Sequence, residues 1–572
     1  MKEAQHVPPY SPLVQNGTFD WKNKPANKHS TGGIRACGFV LGELVGDRLA
    51  FDGVSASLVT YLTTQMGQAT ASASVKVNQW NGTAFLTSVL GGFVADAYLG
   101  RFHTILLFSS TFLLAMILLT LEVSVEQMKP CKGGGDECRA LQEGFFYVAI
   151  YLAAVGAGGS KPCASAFGGD QFDEREGVHE RQRKASFFNW WFVVQSSTNV
   201  IAVTLLVALQ QSIGWGWGYG VPTVLLCLLL FLFAIAAPFY RYSPVLGSPL
   251  TQVARVLVVA LRNSRTTLND HCVLYEGDEI DLVKQGKVKM LHTNQFRCLD
   301  KAAIIPKKEK FEHETQGMSR WRLCSVTEVE EVKLIVRTLP IWLSLIPFSL
   351  ATAQTHSLFI KQGSTVNRRV GTIEIPPASV AMFLNLTMVL FLPLYDRVLV
   401  PAVRKYTHIE RGITLLQRIG VGIFIGIVGM ATAALVERKR LNLAGGRPQS
   451  IEVQMSIFWL LPQYAILGLA QSFTSIGRLE FFYEQVPNSL RSLGTSMYLS
   501  SVGIANFLSS ALIAIINRST EPHPWIGRNL NSSHVDYFYW LLSALLFFEL
   551  WAFLALSFWY RYKPNHHLDA TL

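Results

Sequence analysis

Val221-Pro-Thr-Val-Leu-Leu-Cys-Leu-Leu-Leu-Phe-Leu-Phe-Ala-Ile-Ala-Ala-Pro238 carries no charged side chain. A helix that crosses the hydrocarbon core of a bilayer needs roughly 20 such residues. A helix buried in a large soluble core can be as apolar, so the run decides nothing alone. Its recurrence does. Comparable segments lie at 34–62, 79–99, 102–122, 142–165, 187–211, 218–240, 332–360, 376–398, 412–436, 455–478, 490–516 and 534–560. Twelve of them are too many for one soluble core to cover. The composition agrees, with 50% apolar and only 16% charged residues, against about 25% charged in soluble domains. Disordered, collagen-like and disulfide-scaffold chains are excluded.

The segments fall into two sets of six. Residues 34–240 hold the first and 332–562 the second, with a polar linker at 241–331 and tails at 1–33 and 563–572. Two six-helix halves around a midplane site is an architecture of secondary transporters. The reading is therefore an all-α membrane protein whose main partner is the lipid bilayer. Within the linker, 249–263 (PLTQVARVLVVALRN) reads as a helix against the membrane surface or the bundle, and 266–320 as loop. The formal charge of +11 is here an orientation signal, not one of nucleic-acid binding. Arg175, Arg181, Arg183 and Lys184 in loop 4–5, Arg397, Arg404 and Lys405 in loop 8–9, and Arg561 and Lys563 after the last span put both termini in the cytoplasm. Cys131 and Cys138 share a loop on the other side, either as a disulfide or as two thiols. Asn517-Arg-Ser519 and Asn531-Ser-Ser533 are glycosylation sequons of that same side.

No GxxxxGK[ST], HExxH or GxSxG motif occurs in the spans, which argues against an ATP-driven pump, a membrane protease and enzymes generally. No metal or organic cofactor is expected. Ionisable residues in mid-span cost about 2.5–3.5 kcal/mol each and point to function. Glu43 and Asp47 share a face of span 1, beside Arg48, so each carboxylate makes the other harder to ionise. Lys161 follows the glycine run Gly156–Gly159 in span 4 and precedes Pro162. Glu480 in span 10 is a natural partner for Lys161, as a pair remade during transport or as a permanent one. In span 7, Thr352, Thr355, His356 and Phe359 follow one helical face, with Gln354 beside them. His356 there either touches cargo or packs.

These residues resemble a known family. Gly92-Phe-Val-Ala-Asp96-Ala-Tyr-Leu-Gly100-Arg101, Gly159-Ser-Lys161-Pro162, Phe167-Gly-Gly-Asp170-Gln-Phe-Asp-Glu174, Ser186-Phe-Phe-Asn-Trp-Trp191, Leu479-Glu480-Phe-Phe-Tyr483, Arg491-Ser-Leu-Gly-Thr495 and Asp536-Tyr-Phe-Tyr-Trp540 are similar, in order, to the proton-dependent oligopeptide transporters. Within these the chain resembles the plant nitrate/peptide transporter branch. The resemblance spans nearly the whole chain. It implies a major facilitator fold with twelve transmembrane helices and alternating access. It also implies symport of a small solute with protons as the coupling ion, with Asp96 and Arg101 tying cytoplasmic helix ends together.

The resemblance further implies that Lys161, Glu480, Thr352, Gln354 and His356 meet the solute, and that Glu43, Asp47 and Arg48 serve the proton. One motif departs. The family's E-x-x-E-[RK] reads Leu44-Val45-Gly46-Asp47-Arg48 here, with a glutamate one place early at Glu43. Arg48 thereby loses its partner four residues before, and proton coupling is weakened, rerouted through Glu43 and Asp47, or absent. Basic groups in the cavity suit an anionic or carboxylate-bearing solute: nitrate, a peptide, a hormone or a specialised metabolite. The rival is a receptor on a transporter scaffold, without net flux. The expected address is the plasma membrane, with the vacuolar membrane as the alternative; Tyr10-Ser-Pro-Leu13 matches a short sorting pattern.

Overall fold

The computed structural model describes Val14 and residues 17–67, 70–125, 136–173, 177–245, 249–264, 274–276, 289–305, 321–370, 373–375, 377–409, 411–445, 453–487, 491–521, 525–526, 530–531 and 533–562. Tyr10 to Leu13, Arg175, Cys131, Lys563 and most of 266–320 lie outside the described residues, as does the side chain of Cys138.

The first half comprises α1 (Gly33–Thr64), α2 (Thr70–Val94), α3 (Arg101–Ser124), α4 (Asp136–Gly169), α5 (Val178–Ile201), α6 (Val207–Ser212) and α7 (Trp215–Ile235). The linker contributes α8 (Pro249–Arg262) and the short α9 (Arg297–Asp300). The second half begins with α10 (Val326–Ser344), α11 (Ile346–Thr352) and α12 (Leu358–Gly363), which together make span 7. It continues with α13 (Met382–Leu394), α14 (Val400–Thr407), α15 (Leu415–Ala444), α16 (Leu461–Gln485), α17 (Arg491–Ser519) and α18 (Val535–Trp559).

Among the described residues, nine helical segments are long and apolar enough to cross a membrane by length and composition. The twelve-span expectation also needs α1, α4 and α16. These have 32, 34 and 25 residues, but charges, glycines and polar side chains lower their hydropathy.

Three π-helical turns interrupt the spans. One ends the second span at Ala95–Leu99, one joins α5 to α6 at Ala202–Leu206, and one joins α13 to α14 at Tyr395–Leu399. Such turns break the hydrogen-bond ladder locally and re-aim side chains. Asp96 and Asp396 each stand second in such a turn, at corresponding places in the two halves. Span 7 is broken instead. Pro347 supplies no amide after Leu345, and Ser357 leaves helical space with φ −129° and ψ −86°.

Small residues set the closest helix contacts. A Cβ on Gly91 of α2 would strike the backbone of Gly159 of α4, and one on Gly158 would strike the carbonyl of Ala84. The linker packs on α10. Gln252 donates to Glu331 at 2.6 Å, Arg255 pairs with Glu328 at 2.6 Å, and Lys333 reaches Asp300 at 2.6 Å and Glu330 at 2.8 Å. Of the two surfaces open to α8, the structure places it against the bundle.

At the linker end, which the charge pattern assigns to the cytoplasm, one apolar core runs through both halves. It joins Phe102, Phe167, Phe188 and Trp191 to Ile419, Ile476, Phe482 and Tyr483. At the opposite end the first half keeps a separate core around Phe51, Tyr61, Trp80 and Phe146. The halves are thus fused at the linker end. The sequons need correction: the Asn517 side chain is engaged with the backbone of Ile526 in both directions, and Asn531 is buried and accepts from Arg440 at 2.6 Å. Neither presents a free amide to a glycan.

Gly158→Leu should cost about 1–3 kcal/mol or more through overpacking at the α2–α4 contact. The readout is loss of the monodisperse peak in size-exclusion chromatography. Gly144→Ala, at a place with no atom near its Cβ, should leave the peak unchanged.

Candidate functional site

α1 turns a row of charges toward the centre of the first half. Glu43 is buried and accepts a hydrogen bond from Ser109 Oγ of α3 at 2.8 Å. Asp47, one turn on, accepts from Ser160 Oγ of α4 at 3.3 Å. Arg48 is buried with its Nε unpartnered. The next turn brings Asp52, half-buried, which sequence reasoning passed over. Arg48 acts on it most strongly, and Asn199 of α5, Lys161 and His356 lie close enough to act on it too. So Arg48, which lacks an acid four residues before it, has one four residues after. Asn199 Oδ1 accepts from Asn385 Nδ2 of α13 at 2.8 Å, a hydrogen bond from one half to the other beside this row.

Lys161 lies beneath this row. It is 4% exposed, and its Nζ has no hydrogen-bond partner. It sits 3.3 Å from the ring centre of Phe51 and 4.7 Å from that of Phe85. Arg48 repels it, while Asp47 and Asp52 attract it. A cation held over aromatic faces without a hydrogen-bond acceptor is desolvated yet unsatisfied, which is costly unless an anion joins it. The cluster therefore has the chemistry to receive a small anionic group.

Glu480 is elsewhere. It pairs with Arg411 at 3.2 Å and Arg418 at 3.8 Å, near the cytoplasmic end of α16, and not with Lys161. The pair expected from the sequence is absent from this conformation because Arg411, in the turn before α15, and Arg418, in its first turn, are closer cations. Span 7 also departs from its helical-face reading. His356 is exposed, and Thr352 is half-buried with its hydroxyl turned back on Phe348 and Ser349 carbonyls at 3.1 Å each. Gln354 is fully buried; it donates to Ser509 of α17 at 2.7 Å and to the Leu350 carbonyl at 3.1 Å. Here it fastens α11 to α17. The break at 353–357 interrupts the 3.6-residue period: Thr355 and Phe359 are buried, while His356 stays open and acts on Asp52.

Asp96 and Arg101 belong to a buried network at the cytoplasmic end. Gly100, at φ 74°, makes the reversal that brings them together. Arg101 pairs with Asp96 at 3.3 Å and with Asp170, and its Nε donates to Ser492 Oγ at 2.8 Å. Asp96 accepts from the Leu493 amide at 2.9 Å. Asp170 also receives Tyr483 at 2.8 Å, Ser243 at 2.9 Å and Arg491 at 3.1 Å. Its companion across the bundle is Asp396, which accepts from Ser186 at 2.6 Å and Asn189 at 2.8 Å. Both networks join first half to second. Burial alone would raise the Asp170 carboxyl, but Arg101, then Arg491, Tyr483 and Ser243, hold it below the ordinary carboxylate value. The sequence offers one signal for Asp170: it is the first acid after the glycine pair Gly168-Gly169 that ends α4.

The family model described as the POT family, PTR2, matches residues 102–528. Protein NRT1/ PTR FAMILY 8.3 of Arabidopsis thaliana is 40% identical over 542 residues, covering 93% of this chain and 92% of that protein. Protein NRT1/ PTR FAMILY 8.2 of the same plant is 41% identical over 563 residues, covering 96% and 98%. Among solved structures, an auto-inhibited POT family peptide transporter aligns over 93% of this chain and 98% of its own, with a TM-score of 0.62 and 20% identity. A POT family transporter in complex with 5-aminolevulinic acid aligns over 92% and 98%, with a TM-score of 0.59 and 12% identity. These structural matches share the fold.

Two outcomes follow from the geometry. The ionised Asp170 stabilises the seal at every pH above the ordinary carboxylate range, and that stabilisation is lost only as pH falls through its depressed folded value. Thiol labelling of Ser496→Cys from the cytoplasmic side should stay low between about pH 5 and pH 8 and rise in Asp170→Asn at both. Second, the losses of transport in Lys161→Ala and Glu480→Gln should add in the double variant to within about 0.5 kcal/mol, as for separated sites. Full non-additivity would show that the two meet in another conformation.

Proposed function

The chain belongs to the POT family of membrane transporters, and on that premise we propose that it carries a small solute bearing an anionic or carboxylate group by proton-coupled alternating access. It is a multi-pass membrane protein and not an enzyme; small-solute transport is the family's activity. The finer reading rests chiefly on Lys161. A buried ammonium group without a hydrogen-bond acceptor, next to Arg48, offers a solute anion two cations in a region of low dielectric. The aromatic faces of Phe51 and Phe85 hold that ammonium in place until the anion arrives.

The coupling step follows from the carboxylates. Glu43 and Asp47 stand one turn apart inside the bundle, so both are not readily charged together. A proton entering that pair leaves Lys161 and Arg48 with less negative charge around them and raises their pull on an anion. Solute and proton then favour each other's binding, which is the thermodynamic requirement for symport. Asp52, one turn on, still attracts Arg48 when Glu43 and Asp47 are neutral. Alternation is supported by the one-sided closure, since a core fused at the cytoplasmic end and divided at the other is one of the two states rocking requires.

The test is uptake into proteoliposomes of nitrate, dialanine and 5-aminolevulinate, each with and without an inward proton gradient. At least one should accumulate against its gradient when the outside is acidic. Lys161→Ala should lower that uptake by about tenfold or more. Glu43→Gln should flatten its pH dependence while exchange of labelled for unlabelled solute persists. Folded protein that moves none of the three would count against this reading.

A further inference from the structure

Two buried ionisable side chains of the second half, Glu549 and Arg478, are among those the site above does not use. Glu549, midway along α18, is 4% exposed, and neither of its carboxylate oxygens has a hydrogen-bond partner. The groups that face it are Arg478 of α16 and the backbone of Phe348 in α11. No other charge among the described residues acts on it, although α15 and α10 also pack against α18. Arg478 is 3% exposed and leans elsewhere. Its Nη1 donates to Ser349 Oγ at 2.7 Å, its guanidinium lies 5.3 Å from the ring of Phe348 and 5.1 Å from that of Tyr498 of α17, and its Nε is unpartnered.

A carboxylate buried in mid-span has two tolerable states. It is neutral, or it is charged and in contact with a cation. Here the cation is bonded to Ser349, and the acid is left without a donor. That arrangement suits the neutral acid. Loss of its proton would create an uncompensated charge that pulls the Arg478 guanidinium toward it, and so strains the single Nη1 bond to Ser349. Ser349 lies one turn before Thr352, in the short segment α11 set apart by the breaks in span 7. Thr352 hydrogen-bonds back to the Ser349 carbonyl. The position of one proton is thereby connected to the grip on the section of span 7 nearest the chamber.

We propose that Glu549 is a proton-binding site whose occupancy decides whether Arg478 holds α11 through Ser349. A proton from water adds to one carboxylate oxygen and leaves Arg478 on Ser349; its return to water draws Arg478 onto Glu549 and frees α11. The inference rests on the transport reading above, to which it adds a second proton acceptor, in the other half from Glu43 and Asp47.

Dicyclohexylcarbodiimide adds to protonated carboxyl groups in apolar surroundings, and peptide mass mapping locates the adduct. In proteoliposomes of the wild-type protein, Glu549 should be labelled several-fold more at about pH 6 than at about pH 8. An adduct equal at both, or absent while Glu43 is modified, would overturn the proposal. Infrared difference spectra between the same two pH values need no reagent. They should show a protonated-carboxyl band that is missing in Glu549→Gln; an unchanged band in that variant would also overturn it. Neither readout needs cargo. Labelling that fails while solute uptake stands removes this site alone, whereas labelling that succeeds in a protein with no uptake removes the transport reading.

Discussion

Asp170 gathers donors from four parts of the chain: Arg101 at the start of α3, Ser243 beyond α7, Tyr483 in α16 and Arg491 at the start of α17. A buried carboxylate is tolerable only when such partners surround it, and the partners are tolerable only because it is there. Two of the four come from the other half of the molecule. The contact is close because position 169 is glycine; a Cβ there would press on the ring of Tyr483. Remove the acid, and two arginines, a tyrosine and the Asp96–Leu493 link beside them lose their common reference. The apolar core that fuses the halves at this end adds area, but this network fixes which surfaces meet.

The central chamber obeys the same electrostatics with the opposite outcome. At the seal the Asp170 carboxylate is met by Arg101, Arg491, Tyr483 and Ser243, so the network stabilises one arrangement. Around Lys161 and Arg48, buried nitrogens lack acceptors while three carboxylates of α1 crowd the same space. Satisfied networks hold a conformation; unsatisfied ones respond to what arrives. That contrast separates the structural charges of this protein from its working ones better than sequence position does. Asp96 and Asp396 show it as well: each uses a π turn to aim a carboxylate across the divide, one at the Leu493 amide and one at Ser186 and Asn189.

The uncharged run from Val221 and its recurrences made the helical membrane architecture legible, because hydrocarbon imposes a length and a composition that sequence displays directly. The acids of α1 were legible for a similar reason, as their spacing matches the helical turn. Depth in the membrane was not. Glu480 looked central in a linear string, but it stands near the end of α16 where Arg411 and Arg418 approach. Continuity was not legible either. The face drawn through Thr352, Thr355 and His356 assumed an unbroken helix, and the break at Ser357 buries Gln354 against Ser509 instead. Asp52 is not legible from the family's motif, which ends at Arg48 and looks only to the residues before it. Glu549 was open to view as an acid in the middle of an apolar span, without a neighbouring charge in sequence to draw attention to it.

α1 also has a consequence for how the protein is made. Its central turns hold Glu43, Asp47, Arg48 and Asp52, each worth about 2.5–3.5 kcal/mol against entry into lipid when alone. It reaches the translocon before α3, α4 and α5, yet is among the least able to leave it sideways unaided. Its charges find their neutralising partners on α3, α4 and α5, which are synthesised later. The nascent chain must therefore keep α1 in a sheltered, partly aqueous position until those helices appear, and then partition them as a group. The residues that make the chamber responsive are thus the same ones that make assembly of the first half a collective event.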